Sequence, residues 1–220
     1  MQITYEQIRE NPAVAAYIDK GNEVLGALGF TEHSKAHAVK VAETAGRILS
    51  QLGLDHHRVE LVKIAGYMHD MGNSVNRADH AHTGALMAFQ ILNGLGMDPA
   101  DIAEVIAAIG NHDEGTGSAY NPVSAALIIA DKTDVRRNRV RNRVIAAFDM
   151  HDRVNYAAKT SALRIDTQGR VITLDIELDE EMCTMLDYFE IFLDRMLMCR
   201  RAAEVLGMKF SVRANGAKVI

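Results

Sequence analysis

The sequence predicts a mainly α-helical bundle that carries a β-hairpin and one long helix towards its C-terminal end. Apolar residues recur at three- and four-residue steps over most of the chain, which contains only three prolines to interrupt a helix. Ile172, Leu174, Ile176 and Leu178 instead alternate with mostly polar residues, a two-residue period typical of a strand with one buried face. The polar stretch 166–169 before them is the expected turn of the hairpin.

Capping residues and glycines mark the predicted helices. Asn11-Pro12 is expected to begin the first helix, which Gly29 ends, and either Thr31 or Ser34 can cap the second. The third is expected to begin after Asp55 and to end at Gly72. The predicted helices span 13–28, 31 or 34 to 52, 56–72, 78–95, 99–109 and 123–132.

The C-terminal third changes in character. A less regular strand at 155–165 is the expected hairpin partner of 171–178. The following helix, 180–206, is apolar on more than one face, which is typical of a helix buried on both sides. Because no repeat, low-complexity tract or linker interrupts the sequence, residues 1–220 are predicted to form one domain, with its core at 30–135 and an extension at 153–220.

Composition excludes several classes of protein. A chain of 220 residues that is 48% hydrophobic and 24% charged has the composition of a globular protein with a sizeable core. Its apolar runs, such as 125–130, are far shorter than the roughly 18 residues of a membrane span, and residues 1–6 do not resemble a signal peptide. Cys183 and Cys199 are too far apart on one predicted helix for a disulfide, so a cytoplasmic location is expected. The net charge of −5 argues against a general nucleic-acid-binding protein.

Histidines and aspartates stand at the ends of several predicted helices. His69-Asp70 precedes Gly72, where a helix end allows both side chains to address one ion. Asp131 ends the apolar run 125–130, where a carboxylate without a cation would be costly to bury. Each residue alone has an ordinary explanation, such as pairing of Asp131 with Lys132 or an arginine. Together they indicate a metal centre, whose other candidates are His33 and His37 on one helix face, His80 at a helix start and His112 after the run 102–109.

The order of these residues resembles the motif of the HD-domain metal-dependent phosphohydrolase superfamily, over about residues 30–135. His37 is followed by Lys40-Val41-Ala42, as the first histidine of that motif typically is by similar residues, so it matches better than His33. His33 is then expected to support the site or to face the substrate. The resemblance implies an HD-domain-like fold. It also implies a one-metal ligand set of His37, His69, Asp70 and Asp131. In two-metal relatives, the residues that match His80 and His112 are added to this set.

The segment His112-Asp113-Glu114 also resembles the His-His-Glu segment of the cyclic-dinucleotide phosphodiesterase branch, with Asp113 at the second histidine. The Gly-Tyr-Pro tripeptide of that branch is missing, since Gly117-Ser118-Ala119-Tyr120-Asn121-Pro122 stands in its place. This departure argues against cleavage of cyclic dinucleotides.

The resemblance implies hydrolysis of a phosphomonoester, a nucleotide or a related phosphate ester by metal-activated water. Imidazole and carboxylate ligands suit one or two divalent ions of iron, manganese, zinc, cobalt or nickel. Asp70 is expected to orient or deprotonate the attacking water. Lys132 begins a basic run, 132–143, in which it and Arg136 or Arg137 are expected to clamp phosphate oxygens. The alternative for this run is a solvated helix face.

Two other functions remain open at this stage. One is a di-iron oxygenase on the same scaffold, and the other is a non-catalytic nucleotide or nucleic-acid binding module that uses the arginines of 136–143. The expected partner is a small phosphorylated substrate rather than a membrane or a polynucleotide. A homodimer is also predicted, because the methionine-rich segment 182–198 has more apolar surface than one contact face covers.

Overall fold

The structure is a computed structural model, and it describes residues 3–142, 144 and 148–219. Along the chain, the helices of the bundle come first and a C-terminal sheet follows. One long helix separates the second and third strands of this sheet in sequence. The mainly α-helical architecture with a hairpin and a long helix is therefore confirmed. The helices are α1 (Tyr5–Arg9), α2 (Pro12–Ala27), α3 (Lys35–Gln51), α4 (His56–Met68), α5 (His80–Gly94), α6 (Pro99–Gly110), α7 (Pro122–Lys132), α8 (Met150–Ala157) and α9 (Met185–Val205). The strands are β1 (Ala158–Asp166), β2 (Val171–Leu178), β3 (Lys209–Ala214) and β4 (Ala217–Lys218).

Side-chain caps begin the helices where the sequence places capping residues. The Asn11 side chain accepts hydrogen bonds from the backbone N–H groups of Ala13 and Val14 at the start of α2. Ser34, rather than Thr31, caps α3 by accepting from the N–H of Ala36. The capping chemistry thus fixes where α3 begins, and this position sets the place of His37 in its first turn.

Helix α4 ends earlier than the sequence predicts. It stops at Met68, and the chain continues through His69 and Asp70 into a 3₁₀ helix, Met71–Ser74. A Cβ on Gly72 would lie 2.0 Å from the carbonyl oxygen of His80, so the turn passes directly against the backbone of α5. Gly72 therefore serves a close backbone approach, which brings His69 and Asp70 next to the start of α5.

The core of the bundle is centred on α7. All residues from Val123 to Ala130 are buried, and α7 packs against α3, α4, α6 and α9. A helix surrounded in this way has no polar face, which explains the uninterrupted apolar run in its sequence. Its C-terminal end, at Asp131 and Lys132, lies where the other helix ends meet.

The sheet contains more than the predicted hairpin. β1 and β2 pair antiparallel, but α8 occupies residues up to Ala157, so β1 begins later than the predicted 155. β3 pairs parallel with β2, with Ile172 opposite Phe210 and Leu174 opposite Val212, and β4 adds a short outer strand. Neither β3 nor β4 is predicted from the sequence. The alternating residues of β2 are buried, as their period predicts.

Helix α9 packs against α7 on one side and β3 on another, as its apolar composition predicts. It begins at Met185 rather than 180, because Thr184 and Asp187 form a capping box there. Leu186 and Leu193 remain exposed on its outer surface. Cys183 and Cys199 are both buried and free. Within the described residues, no helix is both long enough and apolar enough to cross a bilayer.

Candidate metal centre

The six predicted metal ligands lie at helix ends that converge on one point of the bundle. His37 is in the first turn of α3, and Asp131 is the second-last residue of α7. His69 and Asp70 directly follow α4, His80 begins α5, and His112 follows α6. Five of the six residues are buried, and the sixth, Asp131, is nearly so. The structure therefore brings together side chains that are up to 94 residues apart in the chain, from 37 to 131.

A first cluster of ligand atoms is formed around one oxygen of Asp70. The Oδ2 atom of Asp70 lies 3.2 Å from His69 Nε2 and 3.7 Å from His37 Nε2. The Oδ1 atom of Asp131 lies 3.3 Å from His37 Nε2 and 3.6 Å from His69 Nε2. Three of these buried atoms, His37 Nε2, His69 Nε2 and Asp70 Oδ2, make no hydrogen bond. A buried polar atom without a partner costs about 1–3 kcal/mol, so the convergence of three of them fits a bound cation.

A second cluster faces the other oxygen of the same carboxylate. Asp70 Oδ1 lies 3.7 Å from His80 Nε2 and 3.9 Å from His112 Nε2, and these two nitrogens are 3.2 Å apart. The side-chain amide of Asn73 donates a 2.9 Å hydrogen bond to the same Oδ1 and thereby orients the carboxylate. Each oxygen of Asp70 therefore faces a different pair of imidazoles.

The four histidines share one orientation. In each ring, Nδ1 lies against an oxygen acceptor outside the centre, so Nδ1 carries the proton and donates it. This leaves the lone pair of Nε2 directed towards the centre, as metal ligation requires. The contacts are His37 Nδ1 to Asp134 Oδ2 at 2.8 Å, His69 Nδ1 to the Gly66 carbonyl at 2.8 Å, His80 Nδ1 to the Arg77 carbonyl at 3.1 Å, and His112 Nδ1 to the Ile109 carbonyl at 2.6 Å.

The electrostatics of the centre also favour a cation. Burial alone would raise the pKa values of Asp70 and Asp131, but neighbouring imidazoles hold the pKa of Asp70, and Lys132 with neighbouring imidazoles that of Asp131, well below the ordinary range. Burial disfavours the charged ring of His69, yet the two carboxylates outweigh it and raise its pKa to about 10. Burial and nearby positive charge lower the pKa of His112 to about 3. The carboxylates therefore stay ionised. Their buried negative charge is balanced by a proton on His69 or by a metal ion.

Lys132 forms ion pairs with one carboxylate of the candidate centre and with one carboxylate outside it. Its Nζ atom lies 2.7 Å from Asp131 Oδ2 and 3.2 Å from Glu114 Oε1. The ordinary pairing of Asp131 with Lys132 therefore does occur, but it uses Oδ2, and Oδ1 faces the histidines. Burial alone would lower the pKa of the Lys132 ammonium, but the carboxylates of Asp131 and Glu114 raise it.

A cavity of about 280 Å³ opens onto both clusters. Predicted site residues on its walls include Asp131, Lys132 and His33. The His33 ring centroid is 5.5 Å from that of His37, and its Nδ1 lies 2.8 Å from the Thr31 carbonyl. The wall also contains residues that the sequence did not single out, among them Arg77, Asp149, His151, Asp152, Phe192 and Arg195. No local motif marks the last two, which reach the site from α9.

Most described arginines of the basic run after Asp131 bind acceptors within the loop or on neighbouring segments, and these contacts hold the loop against the bundle. Arg136 Nε lies 2.7 Å from Asp134, and Arg137 Nε donates to the Tyr156 carbonyl. Neither of these two predicted phosphate ligands is among the cavity-lining residues. Arg139, which does line the cavity, donates to the carbonyl oxygens of Glu32 and Asp134. The described part of the run does not form the solvated α-helix face that was the alternative prediction for 132–143. Arg143 lies outside the described residues.

Comparisons with known proteins find a matching family and several similar proteins. The family described as HD domain matches residues 35–154. An uncharacterized protein of Methanocaldococcus jannaschii is 27% identical over 173 residues, which cover 68% of this chain and 66% of that protein. Ribonuclease Y of Mycoplasma mycoides is 31% identical over 154 residues, which cover 65% of this chain but only 34% of the relative. Thus the match spans just under two thirds of the first relative and about one third of the second.

Among solved structures, a predicted HD superfamily hydrolase from an uncultured Thermotogales bacterium aligns with a TM-score of 0.44 and 25% identity. The alignment covers 56% of this chain and 67% of that chain. The family match itself extends over more than half of this chain and contains all six candidate ligands. On that match the chain belongs to the HD domain family.

Proposed function

We propose that this protein is a metal-dependent phosphohydrolase that acts on a small phosphate ester. Its HD domain supports a metal-dependent hydrolase, and its histidine and aspartate clusters can hold divalent metal. The observation that carries the proposal is the position of Asp70, whose two oxygens face two different pairs of buried imidazoles. In the proposal His37, His69, Asp70 and Asp131 hold one ion, and Asp70, His80 and His112 hold a second.

The surrounding residues have distinct parts in the proposed reaction. When bound, divalent metal supplies a Lewis acid that activates water at neutral pH and offsets the charge of a phosphate. Asp70, held by the side chain of Asn73, orients the attacking water, because both of its oxygens are ligands in this proposal and neither is free to take a proton. Lys132 keeps its proton through its two carboxylate partners and presents positive charge on the cavity wall. Fixed charges of this kind stabilise negative charge that develops on the phosphate in the transition state.

The cavity favours a small substrate. Its volume of about 280 Å³ is at the lower end of the range for small-molecule sites. Four basic side chains on the wall suit an anionic ligand: Arg77, Lys132, Arg139 and Arg195. A phosphomonoester or a mononucleotide fits both features.

A second candidate is hydrolysis of an RNA phosphodiester. It is favoured by the ribonuclease Y relatives, which match 65% or more of this chain. A cavity of this size would admit the terminal nucleotide of an RNA rather than an internal segment. The two candidates therefore differ in whether the leaving group is small or a polynucleotide.

The test begins with metal analysis of protein purified without added metal. The protein is then loaded separately with iron, manganese, cobalt, nickel or zinc and assayed with p-nitrophenyl phosphate, mononucleotides and a short RNA. We expect phosphate release from the small esters, and loss of both metal and activity in Asp70→Asn. The exposed Asp194 on α9 provides a matched control, since Asp194→Asn should retain both.

Cleavage of RNA without hydrolysis of small esters would favour the second candidate. A protein that hydrolyses neither, and that instead shows an oxygen-reactive iron absorption band, would replace the proposal with the di-iron oxygenase. Binding of polynucleotides without turnover and with strong salt dependence would support the binding module instead.

A further inference from the structure

One part of the cavity wall is formed by α9, which lies beyond the residues that match the HD family. Phe192 and Arg195 both line the cavity, and their three-residue spacing places them on one helix face. The guanidinium carbon of Arg195 lies 4.7 Å from the centroid of the Phe192 ring. Phe192 is only 1% exposed, so it gives the guanidinium a rigid surface to rest on.

A line of charged groups runs from this wall to the candidate metal centre. Arg195 Nε lies 2.9 Å from Glu114 Oε1, and Lys132 Nζ lies 3.2 Å from the same oxygen. Lys132 Nζ also lies 2.7 Å from Asp131 Oδ2. This line therefore holds two cations and two carboxylates, in which Arg195 and Lys132 share one oxygen of Glu114.

The terminal nitrogens of Arg195 remain available for a ligand. In the described part of the chain, the ion pair of its guanidinium is the one between Nε and Glu114, and 31% of the side chain is exposed. Held by Nε on one edge and by Phe192 on one face, the guanidinium can offer its two terminal N–H groups as a fork. This is the geometry in which arginine binds phosphate with two parallel hydrogen bonds.

We propose that Arg195 is a substrate-binding residue that takes phosphate oxygens of the ester, and that Glu114 and Phe192 position it. This inference rests on the proposed phosphohydrolase function and assigns part of its substrate specificity to α9. Arg195 then takes the part that the sequence predicts for Arg136 or Arg137. The competing explanation is that Arg195 only ties α9 to the bundle through Glu114.

The first experiment measures phosphate binding by the metal-loaded full chain. Inorganic phosphate is titrated by calorimetry, and KM and kcat are measured with p-nitrophenyl phosphate. We expect Arg195→Met to weaken phosphate binding and raise KM by about tenfold or more, with a smaller effect on kcat and no change in metal content. The phosphate affinity and KM of Arg195→Lys should lie between those of the wild type and Arg195→Met, because lysine keeps the charge but lacks the two parallel N–H groups.

Arg201, an exposed arginine on the same helix, provides the control, since Arg201→Met removes the same charge away from the cavity. Wild-type phosphate affinity in Arg195→Met would overturn the inference, and so would an equal loss of affinity in Arg201→Met. A wild-type protein that neither binds phosphate nor hydrolyses the ester would instead overturn the proposed function itself.

A double-mutant cycle tests the positioning role of Glu114. If Glu114 acts by orienting Arg195, Glu114→Gln should raise KM in the wild type but have little further effect in Arg195→Met. Fully additive effects would show that Glu114 does not act through Arg195. Melting temperatures of all variants show whether any loss of binding is merely a loss of fold.

Discussion

At the scale of single residues, the two nitrogens of each imidazole distinguish the candidate ligands from other histidines. His37 donates from Nδ1 to Asp134 and leaves a buried Nε2 without a hydrogen bond, facing Asp70 and Asp131. His33 lies beside it in the cavity wall but belongs to none of the histidine and aspartate groups that could hold a metal. We therefore retain His37 as the proposed ligand and His33 as a substrate-side residue.

This difference gives the first prediction. His37→Ala should remove bound metal and activity together, because it deletes one of four ligand atoms of the first cluster. His33→Ala should keep its metal and change mainly the KM. Metal analysis of the two purified variants beside the wild type makes the comparison. Equal loss of metal in both would show that the assignment of His37 over His33 is wrong.

The second prediction concerns the number of ions. His80 and His112 are not needed for one ion, yet their Nε2 atoms are 3.2 Å apart and face the second oxygen of Asp70. His80→Ala or His112→Ala should lower the metal content from about two ions towards one and strongly reduce turnover. Lys132→Met should keep its metal and mainly weaken phosphate binding. Wild-type stoichiometry and turnover in both histidine variants would indicate a mononuclear site.

The sequence allowed all six proposed ligands to be named, because each stands at a helix end and in the order of a known motif. On the substrate side it named Lys132 and His33, which line the cavity, and also Arg136 and Arg137, which do not. Arg136 and Arg137 follow Asp131 closely in the chain, but the carboxylate of Asp134 and the Tyr156 carbonyl hold them away from the cavity lining. Loop arginines bind whichever acceptors the fold presents to them, so contact of Arg136 or Arg137 with phosphate stays a prediction.

At the scale of elements, the contact of α3 with α4 sets the spacing of His37 and His69. A Cβ on Gly66 would lie 2.8 Å from Ala42 Cα and 3.0 Å from Ala42 N, which are backbone atoms that cannot move aside. The Gly66 carbonyl also accepts the hydrogen bond from His69 Nδ1. The close approach of the two helices and the orientation of one ligand therefore depend on the same residue.

The third prediction follows from this contact. Gly66→Ala should force α3 and α4 apart, lower the free energy of unfolding by about 1–3 kcal/mol and weaken metal binding. Gly94→Ala is the matched control, because Gly94 lies in α5 with no atom near its would-be Cβ. The control should be unchanged or slightly stabilised by the better helix propensity of alanine. Urea denaturation measures both, and equal stability of the two variants would refute the packing argument.

Sequence patterns predicted elements well where the signal was local. Caps such as Asn11 and Ser34 and the period of β2 act within a few residues, so they can be recognised in one sequence. The start of β1 was misplaced because α8 ends immediately before it. β3 was missed because it is short and because its partner strand, β2, is separated from it in the sequence by all of α9. The six residues of β3 do alternate between polar and apolar, but a run of that length does not specify which strand it pairs with.

At the scale of the whole molecule, the fourth prediction is a homodimer formed through the outer surface of α9. Most of the apolar surface of this helix is covered by α7 and the sheet, which leaves Leu186 and Leu193 exposed two turns apart. We expect light scattering at micromolar concentration to give the mass of two chains, and Leu193→Lys to reduce it to one. A single-chain mass for the wild type would contradict the dimer.

The fifth prediction is that the chain unfolds as one unit. One cluster of buried apolar residues extends from Tyr5 in the bundle to Val212 in the sheet, and it includes Phe192 of α9. Loss of the sheet should therefore also disrupt the cavity wall. Thermal unfolding followed by circular dichroism and by tyrosine absorbance should show coincident transitions, and two separate transitions would show that the C-terminal extension folds by itself.

The parallel pairing of β2 with β3 has a consequence for the order of folding. β1 and β2 are joined by a tight turn, so closing the hairpin costs little chain entropy. β3 can pair with β2 only after the chain between them, including all of α9, has returned to the same side of the sheet. We expect refolding followed by pulsed hydrogen exchange to protect the hairpin amides before those of β3. The cavity, whose wall α9 completes, would then be among the last parts of the protein to form.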